Sequence, residues 1–358
     1  MKPLAPTSTI GILGGGQLGR LLSLEAARLG FDVHIYCPEE NSPAARVSCA
    51  HMVASYADKE ALQAFAKACD VVTYEFENVP AASVTIIEAV GTPVRPGVKA
   101  LEMSQDRARE KAFLNEIGIS TVAFEVISAD MTLDLALEKL GMSGIVKTRR
   151  EGYDGKGQVR ISGTGDSKRL ASAKALAEKS PCILEAFAPF EREVSVVVAR
   201  SEAGSVAYDI SENIHSDGIL ARCIAPANIS DATSKTAIEA GIKLADALDY
   251  IGVLALEFFV MPDGALLANE FAPRVHNSGH WTPEACLTGQ FEQHIRAVAG
   301  WPLGPVDRVF DIEMENLLGE DVAALPTGFA ADTRIVTYGK YEAKPGRKMA
   351  HVTKRTKV

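Results

Sequence analysis

The sequence predicts an α/β protein whose N-terminal part forms a doubly wound, Rossmann-like parallel sheet. Residues 9–13 are an apolar strand, a glycine-rich turn follows, and residues 20–29 have the pattern of a helix. Gly30 then ends the helix, and the apolar run 31–37 predicts a second strand. A strand, a helix and a strand in this order make a βαβ unit, from which parallel sheets are built.

Length and composition predict an ordinary globular protein of two or three domains. The chain has 358 residues, of which 47% are hydrophobic and 6% aromatic. The net charge of -9 argues against a nucleic-acid partner, whose binding surface is normally basic. No apolar run is long enough for a membrane span or a signal peptide. The six cysteines lack C-x-x-C or zinc-like spacing, so we expect reduced thiols and a cytoplasmic location.

The glycine-rich turn has the G-x-G-x-x-G spacing at Gly14, Gly16 and Gly19. In NAD-binding proteins this spacing places a pyrophosphate at the helix N-terminus, and an acidic residue at the end of the second strand holds the ribose. Here the second strand ends in residues 36–38, and Glu39 already lies in the loop. Two alternatives remain open beside NAD: the glycines bind another phosphate, or they only permit a tight turn.

A second ligand edge is predicted where the buried strand 69–74 ends. Tyr74, Glu75, Glu77 and Asn78 follow one another closely there. In open parallel sheets, ligands bind beyond the carboxyl ends of the strands. The alternative for Glu77 is to cap the next helix.

The middle of the chain carries a candidate phosphate loop. Lys147 lies inside the short strand 145–150, and the sequence GYDGKG follows at residues 152–157. Three glycines beside lysines can close backbone N–H groups over phosphates. The spacing differs from that of the G-x-x-x-x-G-K-[ST] loop, and the alternative is an ordinary hairpin turn around Asp-Gly. The strand lysine just before the loop favours the phosphate interpretation.

Two further strands end or begin with an acidic residue. Glu185 closes the apolar strand 182–185, and Glu193 lies near the start of the strand 191–198. An adenine requires a flat apolar slot and a ribose requires a carboxylate acceptor, which residues 185–188 and Glu193 can supply. The alternative is that both glutamates are solvated strand ends.

Glu257 and Glu270 interrupt two apolar strand-like runs on either side of the turn 261–264. Buried carboxylates are costly unless they are paired or bind a cation, and a pair of them suits Mg²⁺ shared with substrate phosphates. A loop of two or four residues would put both on one face of the hairpin, and a loop of three would put them on opposite faces. The alternative is a structural ion pair with an arginine such as Arg274.

Taken in order, these motifs resemble the ATP-grasp superfamily and, within it, the N5-carboxyaminoimidazole ribonucleotide synthase family. The resemblance extends from residue 9 to 351. The stretch HNSGHWT at 276–282 and the C-terminal PGRK at 345–348 are specific to the closer family, whereas GGGQLG alone is not. The resemblance is carried by the segments 14–20, 74–80, 105–107, 147–157, 190–196, 269–282 and 344–351.

The resemblance implies an ATP-grasp fold and a homodimer. It divides the chain into an N-terminal α/β domain at 1–103, a small lid domain at 104–184, a large domain at 185–300 and a β-rich C-terminal segment at 301–358. Glu151 and Ala350 replace glycines of the family pattern.

The resemblance also implies how ATP is held. Arg107 and Lys147 would contact its phosphates, Glu193 its ribose, and Glu257 with Glu270 the Mg²⁺ cofactor. The remaining implied ATP contacts are Gly152, Tyr153, Asp154, Gly155, Lys156, Gly157, Glu185, Ala186, Phe187, Ala188, His215 and Asn269.

The second substrate implied by the resemblance is 5-aminoimidazole ribonucleotide. Its phosphate would meet Lys340 and Arg347, and its ring would lie against Gly16, Gln17, Leu18, Glu75, Tyr153, Asp154, Arg274, His276 and Asn277. Four residues would have catalytic roles: Asp154, Arg274, Lys147 and His276. For His276 the alternative is to orient Arg274, and His280 and Trp281 are expected to pack rather than bind.

The implied reaction joins bicarbonate to the ribonucleotide amine through carboxyphosphate, at the expense of ATP, in purine biosynthesis. The nearest alternative is another ATP-grasp ligase, such as a formate-dependent glycinamide ribonucleotide transformylase or a biotin carboxylase. The other two are an NAD-dependent oxidoreductase and a catalytically silent nucleotide-binding module.

Overall fold

The computed structural model of the chain describes residues 2–152, 157–163, 165–325, 327–328 and 330–357. The strands of these residues form three sheets, two of them small and one large. Within the described ranges, no helix combines the length and the apolar composition that crossing a membrane requires.

The N-terminal sheet is parallel, as predicted, and has four strands. They are β1 (Thr9–Leu13), β2 (Asp32–Cys37), β3 (Ala50–Val53) and β4 (Val71–Tyr74), in the spatial order β3-β2-β1-β4. The helices of this part are α1 (Gln17–Arg28), α2 (Lys59–Lys67) and α3 (Ala81–Glu88). All four residues of β4 are buried, which explains its continuous apolar run.

Two helices connect this sheet to the rest of the chain. They are α4 (Val98–Ser104) and α5 (Arg107–Glu116). Asp106 caps α5 by accepting a hydrogen bond from Ala108 N, and it also accepts one from Arg149 Nε, both at 3.0 Å. The cap therefore ties the start of α5 to the end of the strand that carries Lys147.

The second small sheet is antiparallel and carries Lys147. Its strands are β5 (Phe124–Val126), β6 (Gly144–Thr148), β7 (Gln158–Ile161) and β8 (Cys182–Ala186), in the order β5-β8-β6-β7. Two helices, α6 (Leu133–Lys139) and α7 (Ser167–Lys179), pack on it. Val146 points into the core between sheet and helices, so alternation turns Lys147 to the opposite face.

The large sheet is built of nine strands. They are β9 (Arg192–Ser201), β10 (Gly204–Ala207), β11 (Ser211–Ser216), β12 (Ile219–Ala225), β13 (Gly252–Val260), β14 (Leu266–Ala272), β15 (Asp311–Leu318), β16 (Arg334–Thr337) and β17 (Lys348–Lys357). The order is β14-β13-β9-β11-β12-β15-β17-β16, with β10 beside β9. The C-terminal strands thus extend the sheet that carries the glutamate hairpin.

Helices cover both faces of the large sheet near β9 and β13. The remaining helices are α8 (Asp231–Ala247), α9 (Thr282–Ala285) and α10 (Gln290–Val298). Val196 and Val198 face the core with α8, whereas Val197 and Ala199 face the core shared with α10 and α1. Both faces are therefore buried, and the site residues lie where the helices leave the sheet uncovered.

Buried histidines join the layers of the fold. His294 on α10 contacts Thr73 Oγ1 of the N-terminal sheet at 2.8 Å and accepts a hydrogen bond from Val253 N at 3.1 Å. His351 Nδ1 lies 2.8 Å from the hydroxyl of Tyr338, and His280 packs beside the His351 ring. Burial lowers the pKa of His294 and of His351 to about 3 and places the pKa of His280 well below its usual value.

These histidines should make the fold sensitive to acid. In the unfolded chain each has a pKa of about 6.5, so below that pH the unfolded state binds protons that the folded state excludes. The free energy of unfolding should therefore fall by about 1.4 kcal/mol per pH unit for each buried histidine, from pH 6.5 towards 3. His294→Asn removes one such group and should make this slope shallower by about that amount, measured by urea unfolding between pH 7.5 and 4.5. An unchanged slope would contradict the assignment.

Candidate active site

The hairpin of β13 and β14 has a three-residue turn. Met261 N donates to Ala265 O at 2.9 Å, which leaves residues 262–264 as the loop, with Gly264 at a φ of 83°. For a regular ladder, a turn of this length would place Glu257 and Glu270 on opposite faces.

A β-bulge in β14 restores both glutamates to one face. Between regular pairs on either side, Glu257 alone lies opposite two residues, Asn269 and Glu270. The extra residue shifts the register by one, and all three side chains line the same cleft. The pairing of the two glutamates predicted from the sequence is thus present, although it depends on the bulge.

The two carboxylates have unequal surroundings. Glu270 Oε2 lies 2.8 Å from an Arg107 guanidinium nitrogen, whereas Glu257 Oε1 lies 3.4 Å from His276 Nε2. Burial, together with the charges of Glu270 and Glu193, raises the pKa of Glu257 to about 8. For Glu270, Arg107 and then Lys147 outweigh the effect of burial and lower the pKa to about 2.

The donors at the bulge fit a magnesium ion. Glu257 and Glu270 supply carboxylate oxygens, and the buried amide oxygen of Asn269 has no hydrogen-bond partner among the described residues. Mg²⁺ is commonly held by one or two carboxylates together with substrate phosphates. In the part of the chain that the structure describes, no three His, Cys, Asp or Glu side chains are arranged to hold a metal unaided. The three donors therefore suit a cation that is also bound by the phosphate oxygens of a substrate.

The alternative to a metal site is that the two glutamates form ion pairs with arginines, and this holds for Arg107 but not for Arg274. Arg107 contacts Glu270, as the alternative allowed, but Arg274 pairs with Glu77. Burial opposes this charge, yet Arg274 lowers the pKa of Glu77 to about 2. The helix α3 that follows has no side-chain cap, so the helix-cap alternative for Glu77 is wrong.

A buried carboxylate holds the ammonium group of Lys147 in place. Its Nζ lies 2.7 Å from Glu185 Oε2, and Lys111 Nζ lies 3.3 Å from Glu185 Oε1. Glu185 is only 2% exposed, so it is not a solvated strand end. Its carboxylate faces the two lysines, whereas Lys147 itself lines the cleft. Burial would raise the pKa of Glu185, but Lys147 and Lys111 hold it below its usual value.

The cleft encloses about 380 Å³ between the small antiparallel sheet and the large sheet, enough for a drug-sized ligand. The predicted site residues that line it are Arg107, Lys147, Gly152, Gly157, Phe187, Glu193, His215, Glu257, Asn269, Glu270, His276 and Asn277. Tyr153, Asp154, Gly155 and Lys156 lie outside the described residues.

One end of the cleft is apolar and aromatic. The rings of Phe190 and Phe259 stack with centroids 4.4 Å apart, and the Arg160 guanidinium lies 4.2 Å from the centroid of the Phe187 ring. Ala186 and Ala188 flank Phe187 in the chain, at the end of β8. Flat faces of this kind accept a planar base.

A polar pair lies beside these aromatic residues. His215 Nδ1 is 3.2 Å from Glu193 Oε2, and both side chains line the cleft. Burial raises the pKa of Glu193 to about 7, with Lys147 opposing the shift. A carboxylate and an imidazole at this position are suited to ribose hydroxyls.

The glycine-rich turn is occupied by a side chain of the protein itself. Glu75 Oε1 accepts from Gly16 N at 2.8 Å, and Glu75 Oε2 accepts from Gly19 N at 3.2 Å. A Cβ on Gly14 would lie 2.6 Å from Glu75 Cγ. The glycines thus admit Glu75, whose carboxylate satisfies the amides that a dinucleotide pyrophosphate would require.

The side of the cleft near this turn has polar groups suited to a second ligand. Both polar atoms of the Asn277 amide are buried without a hydrogen-bond partner among the described residues. His276 Nδ1 lies 2.8 Å from Ser278 Oγ, so its Nε2 faces Glu257. Arg274 donates to Val275 O at 3.0 Å and is partly buried.

Four further predicted ligand residues are not among those that line the cleft: Gln17, Leu18, Lys340 and Arg347. Gln17 Oε1 accepts from Lys340 Nζ at 2.6 Å, which joins α1 to the C-terminal segment. The Leu18 side chain packs in the core. An Arg347 guanidinium nitrogen donates to Glu342 O at 3.0 Å.

Sequence reasoning missed several residues that line the cleft, among them Lys348, Arg160 and Phe259. Arg149 does not line the cleft, but it holds Asp106 through a second contact of 2.7 Å. The PGRK motif includes Lys348, but only the direction of β17 shows that this lysine turns inward. His280 and Trp281 are fully buried, which confirms that they pack in the core.

This arrangement defines the ATP-grasp class: a lysine-bearing small sheet closes over a large sheet whose hairpin carries two carboxylates. Three family models match the chain in succession. They are the ribonucleotide synthetase preATP-grasp domain at 7–105, the ATP-grasp domain at 112–291 and the phosphoribosylaminoimidazole carboxylase C-terminal domain at 313–357.

Curated relatives agree with these models over nearly the whole chain. The N5-carboxyaminoimidazole ribonucleotide synthase of Brucella melitensis is 53% identical over 353 residues, covering 98% of this chain and 97% of the relative. That of Bacillus subtilis is 38% identical, covering 97% of this chain and 91% of the relative. The chain therefore belongs to the N5-carboxyaminoimidazole ribonucleotide synthase family, whose members are ATP-grasp ligases.

Solved structures of proteins with this name superimpose on nearly the whole chain. An ADP complex of an N5-carboxyaminoimidazole ribonucleotide synthetase superimposes with a TM-score of 0.95 at 40% identity, covering 99% of this chain and 94% of the other. The synthase of Aspergillus clavatus, in complex with ADP and 5-aminoimidazole ribonucleotide, has a TM-score of 0.91 at 31% identity, covering 99% and 95%.

Glu270→Gln tests the carboxylate pair. The change keeps the side-chain volume but removes one anionic donor and the charge that faces Arg107, so Mg²⁺-dependent ADP formation from ATP should fall to background. The urea unfolding midpoint should stay close to that of the unmodified protein. Glu239→Gln, on the exposed face of α8, is the matched control and should leave both quantities unchanged. Turnover by Glu270→Gln at the rate of the control would remove the metal assignment.

Proposed function

We propose that this protein carboxylates 5-aminoimidazole ribonucleotide to N5-carboxyaminoimidazole ribonucleotide, using ATP and bicarbonate, in de novo purine biosynthesis. The observation that carries the proposal is that one cleft holds two sets of groups. Cations and paired carboxylates suited to a metal–nucleotide complex line it, and so do His276, 3.4 Å from Glu257, and the Asn277 amide, which has no hydrogen-bond partner among the described residues. The name of the Aspergillus clavatus complex gives the same two ligands for that relative, ADP and 5-aminoimidazole ribonucleotide.

In this proposal the ATP phosphates lie between the two sheets. Arg107 and Lys147 face them as fixed positive charges, and the adenine lies among Phe187, Phe190 and Phe259. Mg²⁺ held by Glu257, Glu270 and Asn269 would neutralise charge on the phosphate oxygens. Lys147 needs no reorganisation to act, because Glu185 already fixes its ammonium at 2.7 Å.

The first step forms a mixed anhydride. A bicarbonate oxygen forms a bond to the γ-phosphorus while the bond from that phosphorus to the ADP oxygen breaks, which gives carboxyphosphate and ADP. Negative charge spreads over the transferring oxygens, and Lys147 and Arg274 would stabilise it. Pairing with Glu77 holds the Arg274 guanidinium in a fixed position.

The second step transfers the carboxyl group. Carboxyphosphate releases CO₂ and phosphate, the exocyclic amine forms the new C–N bond, and the departing phosphate accepts the proton of the amine. Asp154 would hydrogen-bond the amine, and the loop 152–157 would exclude water from the anhydride. Of that loop, Gly152 and Gly157 are described, and both border the cleft.

The ribonucleotide would occupy the side of the cleft near α1. Asn277 can donate to and accept from the aminoimidazole, Arg274 and His276 would orient it, and Lys340 and Arg347 would meet its phosphate. Lys340 bonds Gln17 and the backbone of Lys348, so this phosphate site would form at the seam of the N-terminal and C-terminal parts. A cytoplasmic homodimer that uses these two parts completes the proposal.

The alternatives are less well supported. The named relatives carry carboxyaminoimidazole rather than glycinamide in their names, which disfavours a formate-dependent transformylase. An NAD-dependent oxidoreductase would require the loop amides that Glu75 occupies. A silent module does not account for the intact set of Lys147, Glu257 and Glu270.

The direct test is ADP release with Mg²⁺, ATP and bicarbonate, with and without 5-aminoimidazole ribonucleotide. We expect strong stimulation by the ribonucleotide and one carboxylated product for each ADP, because the acceptor completes the closed site. Glycinamide ribonucleotide with formate is the matched control and should give no stimulation. Stimulation by that control instead would keep the ATP site and overturn the proposed acceptor.

A further inference from the structure

Helix α5 holds the bulge of β14 through two residues that do not line the cleft. Glu110 Oε1 accepts a hydrogen bond from Phe271 N at 2.6 Å, and Lys111 Nζ donates to Asn269 O at 3.2 Å. These two backbone groups belong to the peptide units on either side of Glu270. Helix α5 therefore fixes both peptide planes that flank this glutamate.

The same helix also fixes the Glu270 carboxylate. Arg107, one turn before Lys111, lies 2.8 Å from Glu270 Oε2. Three side chains of α5 thus act on Glu270. Glu110 and Lys111 contact the peptide groups on either side of it, and Arg107 contacts its carboxylate. β14 is the edge strand of the large sheet, so backbone groups on its outer side have no partner in the ladder, and α5 supplies partners for two of them at the bulge.

Stability alone is a poor explanation for these two buried ionisable side chains. Glu110 is 2% exposed and Lys111 is 0% exposed. Replacing a whole buried ionic cluster by apolar side chains of similar volume is often neutral or stabilising, so the burial of these two groups calls for another role. What they contact is the one irregular segment of the hairpin, where Asn269 and Glu270 must both face the cleft.

We propose that Glu110 and Lys111 are positioning residues that set the bulge so that Glu270 and Asn269 present their oxygens to the metal–nucleotide complex. The inference rests on the proposed function, since it assumes that a divalent cation joins the nucleotide phosphates at this bulge. The contact that matters at position 110 is an acceptor for Phe271 N–H, which a glutamine oxygen can also provide. A leucine of similar size cannot.

The test compares Glu110→Leu with Glu110→Gln. Mn²⁺ serves as the probe, and its binding to the protein–ADP complex is measured by electron paramagnetic resonance. Glu110→Leu should weaken Mn²⁺ binding by about tenfold, as is typical for loss of an outer partner of a metal ligand, and Glu110→Gln should restore it. Binding of ADP alone, measured by calorimetry in EDTA, should be the same for both variants.

Two further variants complete the design. Lys111→Met should also weaken Mn²⁺ binding, while Glu185 keeps its contact with Lys147. Arg109→Leu, on the exposed face of the same helix, should have no effect. If Glu110→Leu does not fold, Glu110→Met, which also lacks the acceptor for Phe271 N–H, decides the question by the same two measurements.

The outcomes separate this inference from the proposed function. Weaker Mn²⁺ binding with unchanged ADP binding in EDTA supports the positioning role. The positioning role is overturned if Glu110→Leu loses Mn²⁺ binding and ADP binding equally. It is also overturned if Glu110→Leu and Lys111→Met bind Mn²⁺ as well as Arg109→Leu does. In either case the proposed function stands as long as the unmodified protein binds Mn²⁺ and turns over. Failure of the unmodified protein to bind Mn²⁺ with ADP would overturn the proposed metal site and this inference together.

Discussion

The carboxylate pair Glu257 and Glu270, which lines one cleft, is the constraint on which the rest of the structure depends. Two negative charges so close together repel each other, and a protein can keep them only by supplying positive charge or by protonating one. Here Arg107 and Lys147 balance Glu270, and the pKa of Glu257 rises to about 8. Positive charge therefore favours the ionised form of Glu257 less than that of Glu270, and a cation bound beside Glu257 would stabilise its ionised form.

The three sheets contribute different parts of this balance. The small antiparallel sheet brings Lys147, fixed by the buried Glu185, and the large sheet brings the bulged hairpin. The N-terminal sheet brings Glu75, which turns its carboxylate onto the amides of its own glycine-rich loop. Lys147, Glu270 and Glu75 therefore each have an opposite charge or backbone N–H groups from another part of the chain. Since few of these contacts are local, the site exists only in the assembled fold.

Much of the site could be predicted from the sequence because charged residues inside apolar strands are conspicuous. Lys147, Glu257 and Glu270 were found in this way, and the parallel N-terminal sheet followed from its βαβ pattern. The bulge could not be predicted, because an extra residue in one strand is set by what packs against it, here α5. For the same reason the sequence placed Glu75 at a ligand edge but gave no sign that it returns to the glycine loop. Lys348 was missed because the direction of its side chain depends on strand register.

The measurement that tests this account most directly is the thermal unfolding midpoint with Mg²⁺ alone, with ADP alone and with both. If the carboxylate pair needs a cation that brings phosphate oxygens, neither ligand alone completes the site. The shift with both together should then exceed the sum of the separate shifts, because each ligand supplies the charge that the other lacks. Additive shifts, or a full shift with Mg²⁺ alone, would contradict the account.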